Sequence, residues 1–215
     1  MARPTVVENV PPFREVAPSG KLRSAAGITD NHPIVLHQGH IKQGRGCEAL
    51  VRAALTVPDT HFVFLGNGPL RPALQDLARS LDIQERVHFV DSVPPELLLD
   101  YTASATVGVT LLEDTCLNHH YALPNKLFEY LMAGVPVLAS DLPEISRIVS
   151  DFRVGRLCQP GSTKDIGKNL REMLSKSEEL ADYRANSRQV FETINWQSAS
   201  ERFLNEFRRL LKALP

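Results

Sequence analysis

Short, uninterrupted apolar runs alternate along the chain with segments of helical periodicity. The apolar runs lie at residues 33–39, 61–66, 86–90, 106–112, 135–140 and 155–160. The segments with helical spacing lie at 47–55, 70–81, 94–104, 124–133 and 142–149, and the tail is helical from residue 163 onward. Continuous apolar runs are typical of strands buried on both faces. Strands separated by single helices favour parallel pairing. The pattern predicts an α/β fold, a doubly wound Rossmann-like parallel sheet of about six strands with C-terminal helices.

The first residues of the chain break this rhythm. Residues 1–31 are rich in proline and turn formers, including NVPPF at 9–13. We expect residues 1–31 to form an extended entry segment or linker, and residues 32–215 to form the Rossmann-like domain. The whole chain has 215 residues, of which 43% are hydrophobic, which is enough to bury a core.

Charge and composition exclude several partners. The formal net charge is −1, so a basic surface for nucleic acid is not expected. No apolar run reaches the roughly 18 residues of a membrane span, and the N-terminus lacks the apolar core of a signal peptide. The three cysteines are scattered and odd in number, which favours reduced thiols in a cytoplasmic protein.

The motifs of several common sites are missing from the sequence. Neither H-x-x-x-H nor C-x-x-C occurs, so no metal site is expected. G-x-G-x-x-G, the Walker A loop and G-x-S-x-G are also absent, which argues against dinucleotide enzymes, P-loop enzymes and serine hydrolases. Among the histidines, we expect His40 to line the first strand-end loop, and His37 and His88 to be satisfied core residues.

The loops that follow the predicted strands are where a ligand is expected, because open α/β sheets bind ligands at the carboxyl ends of their strands. The first loop, QGHIKQGRG at 38–46, contains Gly39, and the second, LGNGP at 65–69, contains Gly66 and Gly68. Glycine lets backbone approach a ligand closely. The third loop is VDSVPPE at 90–96.

Two cations fall near predicted helix starts. Arg45 precedes one helix, and Lys126 lies in the first turn of PNKLFEYLMA, for which Pro124 suits the first helical position. Helix N-termini favour anions, and two cations suit a diphosphate. Asn125, Lys126 and Glu129 lie near one helix face, where Glu129 could accept hydrogen bonds from a ribose diol. The simpler alternatives are a Lys126–Glu129 surface bridge and a solvated Arg45.

Four segments in this order resemble a known family: VLHQGHIKQGRGCEALVRA, FVFLGNGPLRPALQDLA, RVHFVDSVPPELLLDY and LPNKLFEYLMAGVPVLASDLPEI. They resemble the C-terminal, donor-binding domain of retaining GT-B glycosyltransferases of family 4, the glycosyl transferases group 1. The likeness covers roughly residues 33–212. NVPPF resembles the family's interdomain linker, and TINWQSASERFLNEF its late helical segment.

The resemblance implies a role for each loop. Arg45 and Lys126 would bind the donor diphosphate and stabilise it as it departs, Glu129 would hold the ribose, and the base would lie near Asp91–Val93. Sugar transfer would proceed with retention and without a bound metal, from a UDP- or GDP-sugar. The full set of implied donor-binding residues is Gly39, His40, Arg45, Gly66, Gly68, Asp91, Val93, Leu123, Asn125, Lys126 and Glu129.

The sequence departs from the family pattern in two ways. The family's other glutamate is expected eight residues before Glu129, where this chain has Tyr121; Glu113 or Asp114 could compensate. GT-B enzymes also need a second, acceptor-binding domain. We therefore expect this chain to bind a donor and, by itself, not to transfer sugar. A non-catalytic nucleotide-sugar-binding or partner domain and a nucleotide-sugar epimerase are the alternatives, and base, sugar, acceptor and oligomeric state stay open.

Overall fold

Six parallel strands build one sheet in the computed structural model, which describes residues 5–212. In chain order the strands are β1 (Ile34–Gln38), β2 (His61–Leu65), β3 (Val87–Val90), β4 (Val107–Thr110), β5 (Val137–Ser140) and β6 (Gly155–Cys158). Their spatial order is β3-β2-β1-β4-β5-β6. The order reverses between β1 and β4, which is the topological switch point of a doubly wound sheet.

Helices cover both faces of this sheet. They are α1 (Lys21–Ala25), α2 (Cys47–Ala53), α3 (Arg71–Ser80), α4 (Pro95–Thr102), α5 (Leu117–His120), α6 (Asn125–Met132), α7 (Pro143–Phe152), α8 (Thr163–Leu174), α9 (Ser177–Thr193) and α10 (Trp196–Lys212). A 3-10 turn, Ala54–Thr56, extends α2. Helices α2, α3 and α8 pack on one face of the sheet. Helices α1, α4, α6, α7 and α9 supply most of the core on the other face.

The predicted fold class and the six predicted strands are confirmed. Every residue of β1, β2, β4 and β5 is buried, as the continuous apolar runs indicate. The edge strands β3 and β6 are only partly buried, because each has a neighbour on one side alone. Element ends shift by at most three residues from the predicted ones, which is the usual uncertainty of boundaries.

Three local features differ from the sequence-based expectations. The entry segment contains α1, and Val10, Leu22 and Ile28 are buried in the core rather than extended away from it. The polar loop after β4 contains α5. Pro124 has extended backbone angles, φ −76° and ψ 139°, so it is the residue before α6 rather than its first helical residue. The predicted domain boundary at residue 31 stays a prediction.

The last helix, α10, leaves an apolar side exposed. The exposed large side chains on α10 are Trp196, Phe203, Leu204, Phe207, Leu210 and Leu211. Within residues 5–212, no helix combines the length and the hydropathy needed to cross a bilayer.

Candidate functional site

The two central strands separate at the switch point. Strands β1 and β4 pair only at Val35–Val107 and Leu36–Gly108, although β1 continues to Gln38. The buried Tyr130 hydroxyl lies beyond the last pair, 2.9 Å from the Leu36 carbonyl oxygen, and it accepts a 3.0 Å hydrogen bond from the Gln38 amide. A crevice therefore opens at the carboxyl ends of β1 and β4, with its floor fixed by α6.

Two cavities that share lining residues form the candidate cleft. The inner cavity, of about 380 Å³, lies between the ends of β1, β2 and β3 and helix α6. The outer cavity, of about 620 Å³, extends over the start of α6 toward Arg45. Both are of the size that small-molecule ligands occupy. The shared lining residues are Gln38, Gly39, His40 and Lys126.

Glycines allow the first two loops to meet at this cleft. Gly39 has φ 101°, and no atom lies within 4 Å of a Cβ placed there, so its backbone faces open space. Gly66 has φ 144°, and a Cβ there would lie 2.1 Å from the Gly39 carbonyl oxygen. Gly68 does not line the cleft; its missing side chain makes room for the Ile41 carbonyl, 2.1 Å from the ideal Cβ position. Gly68 thus joins the two loops.

The two predicted phosphate-binding cations are both at the outer cavity. Among residues 5–212, no carboxylate lies within the 4.0 Å ion-pair distance of either Arg45 or Lys126. The Arg45 Nε atom is buried without a hydrogen-bond partner. Burial lowers the pKa of Lys126 to about 8, and the nearby charge of Arg45 adds to this against the opposing effects of Cys47 and Glu129. Buried positive groups that lack a carboxylate at ion-pair distance favour an anion.

Glu129 is held by its neighbours rather than by Lys126. The Gln38 side-chain amide donates a 2.6 Å hydrogen bond to Glu129 Oε2, and Gln38 Oε1 accepts one of 2.8 Å from Thr102. The hypothesis of a Lys126–Glu129 surface bridge is therefore wrong. Burial raises the pKa of Glu129, against the effects of Gln38 and Lys126. Gln38 is not identified from the sequence as a residue of the cleft. A polar residue at the end of an apolar strand is the signal that could have indicated it.

The third loop contributes less of the cleft than expected. Ser92 and Val93 line the inner cavity, and Asp91 does not. The Asp91 side chain is 78% exposed and forms an ion pair with Arg71. Asn67 donates a 3.0 Å hydrogen bond to Ser92, which ties this loop to the second one. A contact of Asp91 with a base stays a prediction.

The start of α6 borders the outer cavity. Leu123 and Asn125 line it, together with Tyr121, which is 61% exposed. Both candidates for the missing glutamate have contacts of their own: Glu113 Oε1 accepts a 3.3 Å hydrogen bond from the Gly46 amide, and Asp114 pairs with His120 at 2.9 Å. Compensation by either residue stays a prediction.

The three histidines singled out from the sequence have different surroundings. His40 is exposed and lines both cavities, as expected. His88 is satisfied, with its Nε2 atom 2.9 Å from His61 Nδ1. His37 is buried, and its Nε2 atom lies 3.6 Å from Cys47 Sγ, whereas its Nδ1 atom has no hydrogen-bond partner among the described residues. The expectation of a satisfied core histidine is thus met at only one ring nitrogen. Burial, and then the charges of Lys126 and Arg45, hold the pKa of His37 well below its usual value and keep the ring neutral.

Comparison with known proteins identifies the family. The profile described as "Glycosyl transferases group 1" matches residues 18–190. The chain belongs to this glycosyltransferase family. The chain is also 28% identical over 210 residues to a D-inositol 3-phosphate glycosyltransferase from Gordonia bronchialis, covering 91% of this chain and 44% of that protein.

Solved structures of glycosyltransferases share the fold. Sucrose-phosphate synthase from Thermosynechococcus elongatus superposes with a TM-score of 0.79 at 21% identity, over 95% of this chain and 52% of that one. HepE from Anabaena, solved with UDP, superposes with a TM-score of 0.81 at 16% identity, over 98% of this chain and 57% of that one. The six-stranded sheet is thus that of one half of a GT-B glycosyltransferase, and the chain spans about half the length of these structures.

Proposed function

We propose that the chain is the donor-binding half of a retaining glycosyltransferase. It binds a nucleoside diphosphate sugar, a UDP- or GDP-sugar, and transfers the sugar when an acceptor-binding domain completes the enzyme. By itself it binds the donor without transferring sugar. The observation that carries the proposal is a pair of cations, Arg45 and Lys126, that line a cleft at the switch point and that, among residues 5–212, have no carboxylate within ion-pair distance.

The two cations have a chemical role in the proposed reaction. As the bond between the sugar and the diphosphate breaks, negative charge grows on the departing nucleoside diphosphate. Fixed positive groups in a partly dry cleft stabilise such charge. Arg45 and Lys126 supply that charge in our proposal, so the step needs no bound metal. Glu129, oriented by Gln38, accepts hydrogen bonds from the ribose.

The two cavities of the cleft support an arrangement for the rest of the donor. The inner cavity, lined by Ser92, Val93 and Gly66, receives the nucleoside, and the outer cavity receives the phosphates and the sugar. The relatives support a nucleotide donor, since HepE was solved with UDP and with UDP-glucose. We place the protein in the cytoplasm because its cysteines are all free, which suits a reducing compartment.

Ligand-induced stabilisation tests this proposal without an acceptor. A ligand present at a hundred times its Kd stabilises a protein by about 2.7 kcal/mol. We expect UDP or GDP, and the matching nucleotide sugar, to raise the melting temperature, whereas the free nucleoside does so weakly. An equal shift from the nucleoside and the diphosphate would contradict the assignment of the two cations.

Transfer and its stereochemistry require the second half. We expect co-expression with the acceptor domain of a family member to yield a product whose anomeric configuration, read by NMR, matches the donor. An inverted product would contradict retention. A donor sugar that is epimerised and not transferred would favour the epimerase alternative.

A further inference from the structure

At the amino edge of the sheet, opposite the cleft, three potential metal ligands converge. Asp30 and His32 lie in the connection before β1, and His61 is the first residue of β2. Each offers one ligand atom, and these atoms lie within 4.8 Å of one another. We propose that Asp30, His32 and His61 bind a divalent transition-metal ion, with zinc as the best match. The site goes beyond the proposed sugar transfer and does not depend on it.

The distances between the ligand atoms suit zinc. His61 Nε2 lies 3.0 Å from Asp30 Oδ2, and His32 Nδ1 lies 3.6 Å from the same oxygen. Tetrahedral zinc, with bonds of about 2.0–2.2 Å to nitrogen and oxygen, separates its ligands by about 3.3 Å. The observed separations lie on either side of that value. Two imidazoles and a carboxylate are zinc ligands, and a water completes the shell.

For Asp30 and His61, the second polar atom of the side chain already has a partner, which leaves the other atom for the metal. Asp30 Oδ1 accepts a 2.9 Å hydrogen bond from the His32 amide, so Oδ2 is directed to the rings. His61 Nδ1 lies 2.9 Å from His88 Nε2. When that Nδ1 carries the proton, His61 Nε2 presents its lone pair. A ligating histidine commonly donates its other ring N–H to a polar partner in this way.

Access and charge shape the affinity of the site. The side chains of Asp30 and His32 are about half exposed and that of His61 is 10% exposed, so an ion can enter from solvent. Arg23 holds the connection by donating to the carbonyls of Asp30 and His32 at 2.5 and 2.9 Å. Its guanidinium also lies 3.8 Å from Asp30 Oδ1 and opposes a cation there. A bound ion would link the connection before β1 to the start of β2, at the opposite edge of the sheet from the proposed donor cleft.

The ligands come from separate segments, which is why sequence spacing indicated no metal site. His32 and His61 are 29 positions apart, outside any short metal-binding motif. His88, in the neighbouring strand, pairs with Val63 in the sheet register. Parallel pairing of β1, β2 and β3 brings the amino ends of these strands together and so assembles the cluster.

Zinc titration of the EDTA-treated, dialysed full chain tests the proposal. We expect binding at a one-to-one ratio by calorimetry, and a rise in melting temperature as zinc saturates the site. We expect NMR of the histidine rings to show coordination through Nε2 of His61 and Nδ1 of His32.

Variants of the ligands test which residues bind the ion. His32→Ala and Asp30→Asn each remove a ligand at an exposed position, and we expect at least tenfold weaker zinc binding. His88→Ala removes the acceptor that supports His61 Nδ1–H, and we expect about 10–100-fold weaker binding.

A matched control is the other histidine–carboxylate pair with similar exposure, Asp114 and His120. His120→Ala should leave zinc affinity unchanged. UDP binding should be the same with and without zinc, which separates this site from the donor cleft. Absence of one-to-one binding, or equal losses in His32→Ala and His120→Ala, would overturn the proposal.

Discussion

The polar side chains at the amino edge of the sheet contact one another, whereas two cations at its carboxyl edge have no ion-pair partner in the part of the chain that the structure describes. At the amino edge, Asp30, His61 and His88 form a continuous chain of polar contacts of about 3 Å. At the carboxyl edge, Arg45 and Lys126 have no carboxylate within ion-pair distance among the described residues. Unpaired charge costs stability. Arg45 and Lys126 face the cleft where we propose donor binding, and in that proposal the diphosphate of the donor supplies the anion.

Arg156, which lies outside the cleft, is an arginine that pairs with carboxylates of the same chain. Its side chain is 18% exposed and forms ion pairs with Glu172 and Glu179. These bonds, acting against burial, raise the pKa of Arg156 above its usual value. Arg45, whose Nε atom is buried without a partner, has no such carboxylates among residues 5–212. The contrast separates an arginine that serves the fold from one proposed to serve a ligand.

Removing a cation at the carboxyl edge is expected to have the largest effect. Arg45→Ala should weaken UDP or GDP binding by about 1.5–3 kcal/mol, the range for charge-assisted hydrogen bonds. Because Arg45 forms no ion pair with the described part of the chain, the free energy of unfolding should stay the same or rise. Calorimetry and urea unfolding measure the two quantities.

Arg52 provides the matched control for Arg45. It lies at the other end of α2, where it pairs with Glu48 at 2.9 Å. Arg52→Ala should leave diphosphate affinity unchanged. Equal losses of affinity in Arg45→Ala and Arg52→Ala would show a general effect of net charge rather than a site.

The floor of the cleft is expected to matter for stability. Tyr130→Phe leaves the Gln38 amide without its acceptor and the Leu36 carbonyl without its donor, all in a buried place. We expect a loss of about 1–3 kcal/mol in the free energy of unfolding, the cost of leaving buried polar groups unpaired. Urea unfolding measures this loss. An unfolding midpoint equal to that of the wild type would show that the Tyr130 hydroxyl does not stabilise the switch point.

The pH dependence of diphosphate binding tests the role of the Lys126 charge at the carboxyl edge. A bound diphosphate stabilises the charged form of Lys126, whose pKa in the free protein is about 8. Affinity should therefore be highest below that pH and fall as the ammonium deprotonates, by at most about tenfold per pH unit. Lys126→Arg keeps the charge and should flatten the profile between about pH 7 and pH 9.5.

The same shift has a consequence for folding. The pKa of Lys126 is lowered from 10.5 in its free form to about 8 in the folded chain. Between these values the unfolded chain binds more protons than the folded chain, so the contribution of Lys126 to the free energy of unfolding rises with pH in that window.

The affinity for a diphosphate is the second quantity to follow between these two pH values. An affinity that does not change there would contradict the assignment of Lys126 to phosphate binding.

The smallest expected effect concerns the ribose. Glu129→Gln keeps an oxygen that can accept from Gln38, so the fold should persist. We expect diphosphate nucleotides to bind about 0.5–1.5 kcal/mol more weakly, the value of a typical hydrogen bond. Inorganic pyrophosphate, which has no ribose, should bind as before. A parallel loss for pyrophosphate would place Glu129 at the phosphates.

The sequence predicted the sheet and the positions of its strand-end loops well, and the contacts between loops poorly. Apolar runs such as the one ending at Gln38 mark buried strands, and parallel topology puts their ends at one edge. The Gln38–Glu129 bond joins residues 91 positions apart, and the Arg71–Asp91 pair joins residues 20 apart. No local pattern specifies such pairs, since they depend on the three-dimensional packing of separate segments.

The most direct test of the central claim is calorimetric titration of the chain with UDP, GDP and uridine, alongside Lys126→Ala. The account predicts that one diphosphate binds at a one-to-one ratio, that uridine binds far more weakly, and that Lys126→Ala loses most of the affinity. Binding that is the same in Lys126→Ala, or the absence of binding by any diphosphate to the folded chain, would contradict it.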